Sequence, residues 1–251
     1  MSRFLLALQF LTIFPIKIKS VSVKKLSGSL IYFPVVGLVI GLMLAALYTL
    51  LINLDFTSFA TSVITVIALI IITGGMHFDG LADTFDALLS VRSKEEMLRI
   101  MRDPHIGVMG VLSIISIVIL KIGLLSSIDV ENTIKAIILM CALGRWSAVF
   151  LMFNFPYARS EGKAKVFIDG MNLNIFTLSA AIVILISAAI WQAKGLLILL
   201  VMTGVVYLFG LLTKKKIGGI TGDTLGAGIE LAECAILFSF IILERNCQWI
   251  N

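Results

Sequence analysis

Charge is what this 251-residue chain has least of. Asp, Glu, Lys and Arg together make 14% of it against an apolar share of 59%, whereas a soluble domain carries about a quarter charged residues. So few charges cannot coat a globule with polar surface, and with a mean hydropathy of +1.08 they exclude a soluble globule, a disordered chain and a fibre. Cysteine is scarce too. Cys141, Cys234 and Cys247 are scattered and odd in number, and no Cys-x-x-Cys or Cys/His pair has metal-ligand spacing, which excludes a disulfide scaffold and reads as packing. The apolar run Phe4 to Ile13 lacks a small-x-small cleavage site and is stopped by Pro15 and lysines. At about a dozen residues it is too short to cross a bilayer and is expected to form an interfacial or re-entrant helix. Internal repeats, low-complexity linkers and soluble-domain boundaries are absent as well, so residues 1–251 are expected to form one membrane-embedded domain.

What is present is a series of long apolar runs. The expected fold is all-α, a polytopic helical bundle of about seven transmembrane helices, with six or eight as the bounds. The spans fall near 31–52, 57–75, 106–125, 133–155, 175–192, 196–212 and 226–243, the fifth and sixth joined by a tight hairpin at Ala193-Lys194-Gly195. Fifteen of the twenty basic residues lie in the N-terminal segment and in the segments 76–105, 156–174 and 213–225. With seven spans all four share one side, which the positive-inside bias makes cytoplasmic, with the C-terminus external. Lys121, Lys135, Lys194 and Arg245 are left for the other side. The net charge of +5 then reflects contact with the lipid bilayer and its anionic headgroups, and nucleic acid is not an expected partner.

Carboxylates beside or within apolar segments are costly and point to function. Asp79, Asp83 and Asp86 follow Gly74-Gly75-Met76-His77, and on a helix they fall within roughly 60° of one another. A solvated face can carry three acids, but not ordinarily directly beside a span. Like charges on adjacent turns repel, and a hard divalent cation with oxygen ligands neutralises them economically. A second set, Asp223, Glu230 and Glu233, follows Gly218-Gly219-Ile220-Thr221-Gly222. If the helix runs through its glycines, Asp223 and Glu230 are nearly aligned, and the glycines let backbone N–H groups approach a phosphate. Two acid triplets at one face suggest magnesium-assisted phosphate chemistry, with Asp79, Asp83, Asp86 and Asp223 as metal ligands or base and Glu230 and Glu233 as outer ligands or base. The candidate substrate-binding groups are His77, Arg102, Asp103, Arg145, Thr221 and Gly222. Pro104 suits a helix start. Arg145, inside a span, pairs either with an acid or with a substrate phosphate.

The segment Gly74 to Asp86, the block Ile100-Met101-Arg102-Asp103 with Ile106-Gly107, and the segment Gly218 to Ala227 with Glu230 and Glu233 together resemble the cobalamin synthase family, the adenosylcobinamide-GDP ribazoletransferases. Gln9 to Thr12, Phe33 to Gly37 and Pro156-Tyr157-Ala158-Arg159 agree as well, so the resemblance runs nearly end to end. Ala87 and Met76 depart from it without removing a polar group. The resemblance implies a membrane-bound, magnesium-dependent transferase in the cytoplasmic inner membrane of a prokaryote. Its donor would be the corrinoid nucleotide adenosylcobinamide-GDP, its acceptor alpha-ribazole or the 5′-phosphate, and its by-product GMP. A second copy of the chain or other cobalamin-assembly enzymes are the protein partners it suggests. Two alternatives share part of the chemistry: a membrane CDP-alcohol phosphotransferase, whose Asp-Gly-x-x-Ala-Arg pattern is not met after Asp79, and a cation-coupled transporter.

Overall fold

The computed structural model describes residues 2–16, 22–162 and 164–245. Lys17, Lys19 and Lys163, three of the fifteen basic residues expected on one side, and Cys247, expected to pack, lie outside the described residues. The described chain is helical: α1 (Ser2–Leu11), α2 (Val23–Ser29), α3 (Phe33–Asn53), α4 (Ser58–Thr73), α5 (Met76–Leu88), α6 (Lys94–Ile100), α7 (Val108–Ser126), α8 (Val130–Asn154), α9 (Lys165–Asp169), α10 (Leu173–Ile217) and α11 (Gly222–Arg245). The all-α membrane bundle expected from hydropathy is what these residues build.

Among the described residues five helices are long and apolar enough to cross a membrane, and six if α4 and α5 count as one bent span. The expected seven is not reached on that count, for two physical reasons. The helix over 58–73 has only 16 residues, short of the roughly 20 that a bilayer requires. The two spans expected over 175–192 and 196–212 lie in one 45-residue stretch, α10. That stretch is interrupted at Trp191 and Gln192, where φ reaches +48° at Gln192. Gly195 then packs on the Ser187 carbonyl, an approach that no Cβ would permit. The chain therefore doubles back two residues earlier than the expected hairpin. Trp191 holds the corner by stacking on Phe240 of α11 at 4.3 Å.

Local signals explain the other ends. Thr57 caps α4 by accepting from the Ala60 N–H at 3.3 Å. Ser93 and Glu96 form a reciprocal capping box on α6. Gly74 and Gly75 both adopt left-handed φ, +64° and +67°, and turn the chain by 90° from α4 into α5. These two glycines are a corner.

Buried α8 is the axis of the bundle: 89% of its apolar window is buried, against 33% for α7 and α10. It packs on α3 through Gly37 and Gly41, whose absent side chains let α3 lie directly on the backbone at Ile138, Cys141 and Ala142. This is the small-x-x-x-small contact of membrane helices, where close backbone approach replaces a hydrophobic driving force. Cys141 and Cys234 are buried free thiols, as their isolation in the sequence suggests. Phe59, Ile119, Leu185, Leu200 and Leu208 stand exposed on the outside, as a lipid-facing surface requires.

Candidate functional site

One end of the bundle gathers α5, α6, the head of α7 and the head of α11. α5 is continuous from Met76 to Leu88, so Asp79, Asp83 and Asp86 share a face as their spacing demands. α11 is likewise unbroken by its glycines. The two helices cross where Gly80 meets Asp223, and a Cβ at Gly80 would lie 2.6 Å from the Asp223 carbonyl oxygen. The head of α11 is set by two threonines: the Thr224 N–H donates to the Thr221 hydroxyl at 3.2 Å, and the Thr221 N–H to the Thr224 hydroxyl at 2.8 Å. Thr221 also donates to Asp223 at 3.3 Å.

The expected site residues divide into three groups. The first lines a cleft of about 250 Å³ whose walls include Asp79, Asp83, Arg102, Asp103 and Pro104. Asp103 accepts from the backbone N–H of His105 at 3.0 Å and pairs with its ring Nδ1 at 2.7 Å, which holds its carboxyl below the ordinary value. Arg102 also belongs to a second cleft of about 330 Å³, together with Arg99, Arg159 and Glu95. Arg159 donates to Asp223 at 2.9 Å. Arg99 and Arg159 were not among the expected site residues, although Arg159 lies in one of the short family-like stretches. An acidic cleft and an arginine cleft therefore abut, with Arg102 in both walls.

The second group is Asp86 alone. It turns away from the cleft and accepts from the backbone N–H groups of Gly107 and Gly110 at 2.7 and 2.8 Å. A Cβ at either glycine would strike the carboxylate. Asp86 thus serves the orphan donors at the head of α7. This fixes the start of that helix at Val108, four residues beyond Pro104.

The third group lies deeper, seven to ten residues along α11 from Asp223, roughly 10 to 15 Å at helical rise. Lys121 of α7 donates to Glu230 at 2.5 Å and also to Glu233, and Arg145 of α8 donates to Glu233. All four side chains are at most 2% exposed. Glu230 and Glu233 therefore stand in a balanced ion network and not among the aspartates. Of the two partners open to Arg145, the acid is the one observed. Lys121, expected outside the membrane, is at the centre of the network, because the face of α7 that carries it packs against α5 and α11. His77 is buried beside it, Nδ1 at 3.9 Å from Glu230 and Nε2 without a hydrogen-bond partner. Its ring borders a small apolar cavity of about 60 Å³ that reaches exposed Gly222 at the surface.

The donor set bears on the expected cation. Among the described residues no three Asp, Glu, His or Cys side chains are gathered so as to hold a metal ion by themselves. Asp86 is committed to α7 and Asp223 to Arg159. Asp79 and Asp83 remain, two carboxylates on successive turns facing one cleft. Two carboxylates could hold a magnesium ion only if water and substrate oxygens supplied its other ligands.

Fold and clefts together define a polytopic helical membrane protein with an arginine-lined cleft beside an acidic one at one end of its bundle. The comparisons with known proteins make the class particular. The family model described as cobalamin-5-phosphate synthase matches residues 3–241. Similar proteins include the adenosylcobinamide-GDP ribazoletransferase of Clostridioides difficile (strain 630), 38% identical over 253 residues that cover 97% of this chain and 98% of the relative. That of Fusobacterium nucleatum subsp. nucleatum (strain ATCC 25586) is 33% identical over 272 residues, again covering 97% and 98%. No solved structure matches. The chain belongs to the cobalamin synthase family, whose members are transferases of cobalamin synthesis. A match of this extent favours the synthase over both the CDP-alcohol phosphotransferase and the transporter alternatives.

Proposed function

We propose that the chain joins adenosylcobinamide-GDP to alpha-ribazole, or to its 5′-phosphate, with release of GMP. The observation that carries this reading is the sharing of Arg102 between an acidic and an arginine-lined cleft. Transfer from a diphosphate needs both: cations to bind the phosphate oxygens and carboxylates to handle the incoming hydroxyl. The acceptor hydroxyl attacks the phosphorus attached to cobinamide, a new P–O bond forms, and the P–O bond to GMP breaks. The guanidinium groups of Arg99, Arg102 and Arg159 hold the departing phosphate, where bidentate geometry is available to them. The hydroxyl proton passes to Asp83, which is half-buried and feels the charges of Asp223, Asp79 and Asp86. Asp223 is held in place by Arg159 and by the Gly80 contact. Asp79, with water and diphosphate oxygens, would hold magnesium and leave Asp83 free as the base; when bound, the ion would offset the negative charge of the diphosphate.

The clefts are proposed to face the cytoplasm from the inner membrane, supported by the concentration of basic residues in the segments that form this end. The test is a reconstituted reaction. Protein in detergent receives adenosylcobinamide-GDP, alpha-ribazole and magnesium, and GMP and corrinoid product are followed by chromatography. Product that disappears with EDTA, with Asp83→Asn and with Arg102→Ala is the expected result. Equal turnover in the Asp83→Asn variant would overturn the assignment of the site, and no product from folded wild-type protein with either acceptor would overturn the reaction.

A further inference from the structure

Away from these clefts the structure carries a second cavity of about 560 Å³, between α2 and the segment that joins α9 to α10. Its chemistry is mixed. Its lining carries two cations, Arg3 and Lys24, with Ser27, Asn172 and Asn174 as neutral polar groups. Ile31, Ile175 and Leu178 add apolar surface to the same lining. These apolar residues fall at the starts of two spans, since Ile31 lies just ahead of α3 and Leu178 lies in the second turn of α10. A cavity that joins cations to apolar surface where apolar helices emerge has the polarity of a membrane interface.

Two details show that the cationic part of the lining is built. Arg3 lies on Gly28, and a Cβ there would approach its Nε to 2.8 Å and its Cζ to 2.9 Å, so glycine gives the guanidinium its place. The one acid in the lining, Asp169, is already engaged, because Lys165 donates to both of its oxygens at 3.0 Å. Neither Arg3 nor Lys24 makes an ion pair with a described residue. The lining therefore presents two cations to whatever enters.

We infer that this cavity binds one anionic phospholipid of the surrounding leaflet, its phosphate between Arg3 and Lys24 and the upper part of an acyl chain along Ile31, Ile175 and Leu178. A free phosphate would satisfy the cations and leave the apolar surface bare. A zwitterionic lipid would satisfy the apolar surface and bring its own cation to the guanidinium. Only an anionic amphiphile matches both.

Native mass spectrometry of the delipidated full-length protein, supplied with equal phosphatidylglycerol and phosphatidylcholine, tests this. Wild type is expected to retain one phosphatidylglycerol in preference to phosphatidylcholine. Arg3→Gln with Lys24→Gln is expected to lower that retention roughly 30-fold, from the usual interaction of a basic residue with an anionic surface, and Gly28→Leu to lower it by displacing Arg3. The charge-conserving pair Arg3→Lys with Lys24→Arg should retain the lipid, which separates lost binding from lost fold. Lys214→Gln with Lys215→Gln, on an exposed basic stretch elsewhere, should change nothing. Unchanged retention in the Arg3/Lys24 double variant, equal loss in the Lys214/Lys215 control, or displacement by millimolar glycerol 3-phosphate would each overturn the proposal.

Discussion

A lysine inside an apolar helix costs several kcal/mol in lipid unless something answers its charge. Lys121 is answered twice, by Glu230 and Glu233, and Glu233 is answered in turn by Arg145. Breaking such a network at one member leaves an uncompensated buried charge, which costs about 3–5 kcal/mol. Lys121→Met is therefore expected to destabilise the protein by that order, read as a lowered midpoint of unfolding in detergent. Adding Glu230→Gln should recover part of the loss, since Glu233 keeps Arg145. If the double variant is no more stable than Lys121→Met, the pairing is not what holds these residues. The network also shows where reading the sequence stops. The acids were legible because each interrupts an apolar run. Lys121, near the end of one, looked like a charge outside the membrane, since its partners lie 109 and 112 positions away and only the packing of α7 on α11 discloses them. That Asp79 and Asp83 share a face was legible from their spacing, and both line one cleft with Arg102; the commitment of Asp86 to α7 was not legible, because nothing local distinguishes it from its two neighbours.

Elements were easier to read than their junctions. Hydropathy places the apolar helices, since runs of about twenty apolar residues leave a strong signal, but the corner at Gly74-Gly75 and the break at Trp191-Gln192 depend on backbone dihedrals that composition does not carry. Two helix contacts can be tested at this scale. On α3, Gly37→Leu forces a side chain into the backbone of α8 at Cys141. Because overpacking costs typically 1–3 kcal/mol, the variant should unfold earlier, whereas leucine at Gly123, whose Cβ position meets no neighbour, should have little effect. On α7, Asp86→Ala removes the acceptor of two head N–H groups, with an expected cost of about 1–2 kcal/mol. Hydrogen exchange should then quicken at Gly107 to Gly110 and stay unchanged near Lys121. Uniform quickening along α7 would mean that Asp86 supports the whole helix.

At the scale of the molecule the helix ends sort themselves. The end of α4, the head of α7, the end of α8 and the head of α11 all lie at the cleft end, tied by the Ile13–Ile72 bond, the Asp86–Gly107 bond and the pairing of Ile220 with Pro156 and Ala158. α10 leaves this end at Leu173 and regains it at Ile217, because Gly218 passes straight to the paired Ile220, so its two arms must go out and come back. A rod of 45 residues would instead be roughly 68 Å long, more than twice the hydrocarbon core. Exposed Asp55 and Ser127, in the α3–α4 and α7–α8 turns, then fall at the opposite end from Ser160. With Cys247 replaced by Ser and Cys141 and Cys234 shielded by burial, cysteines placed singly at 55, 127 and 160 convert this arrangement into a membrane orientation. A membrane-impermeant maleimide applied to intact cells should label 55 and 127 and spare 160 until the cells are opened. Labelling of 160 in intact cells would turn the clefts outward, away from a cytoplasmic supply of nucleotide-activated donor, and would overturn the orientation on which the proposed reaction depends. Labelling at 127 but not at 55 would mean that α3 does not carry the chain to the far side, and would remove it from the spans.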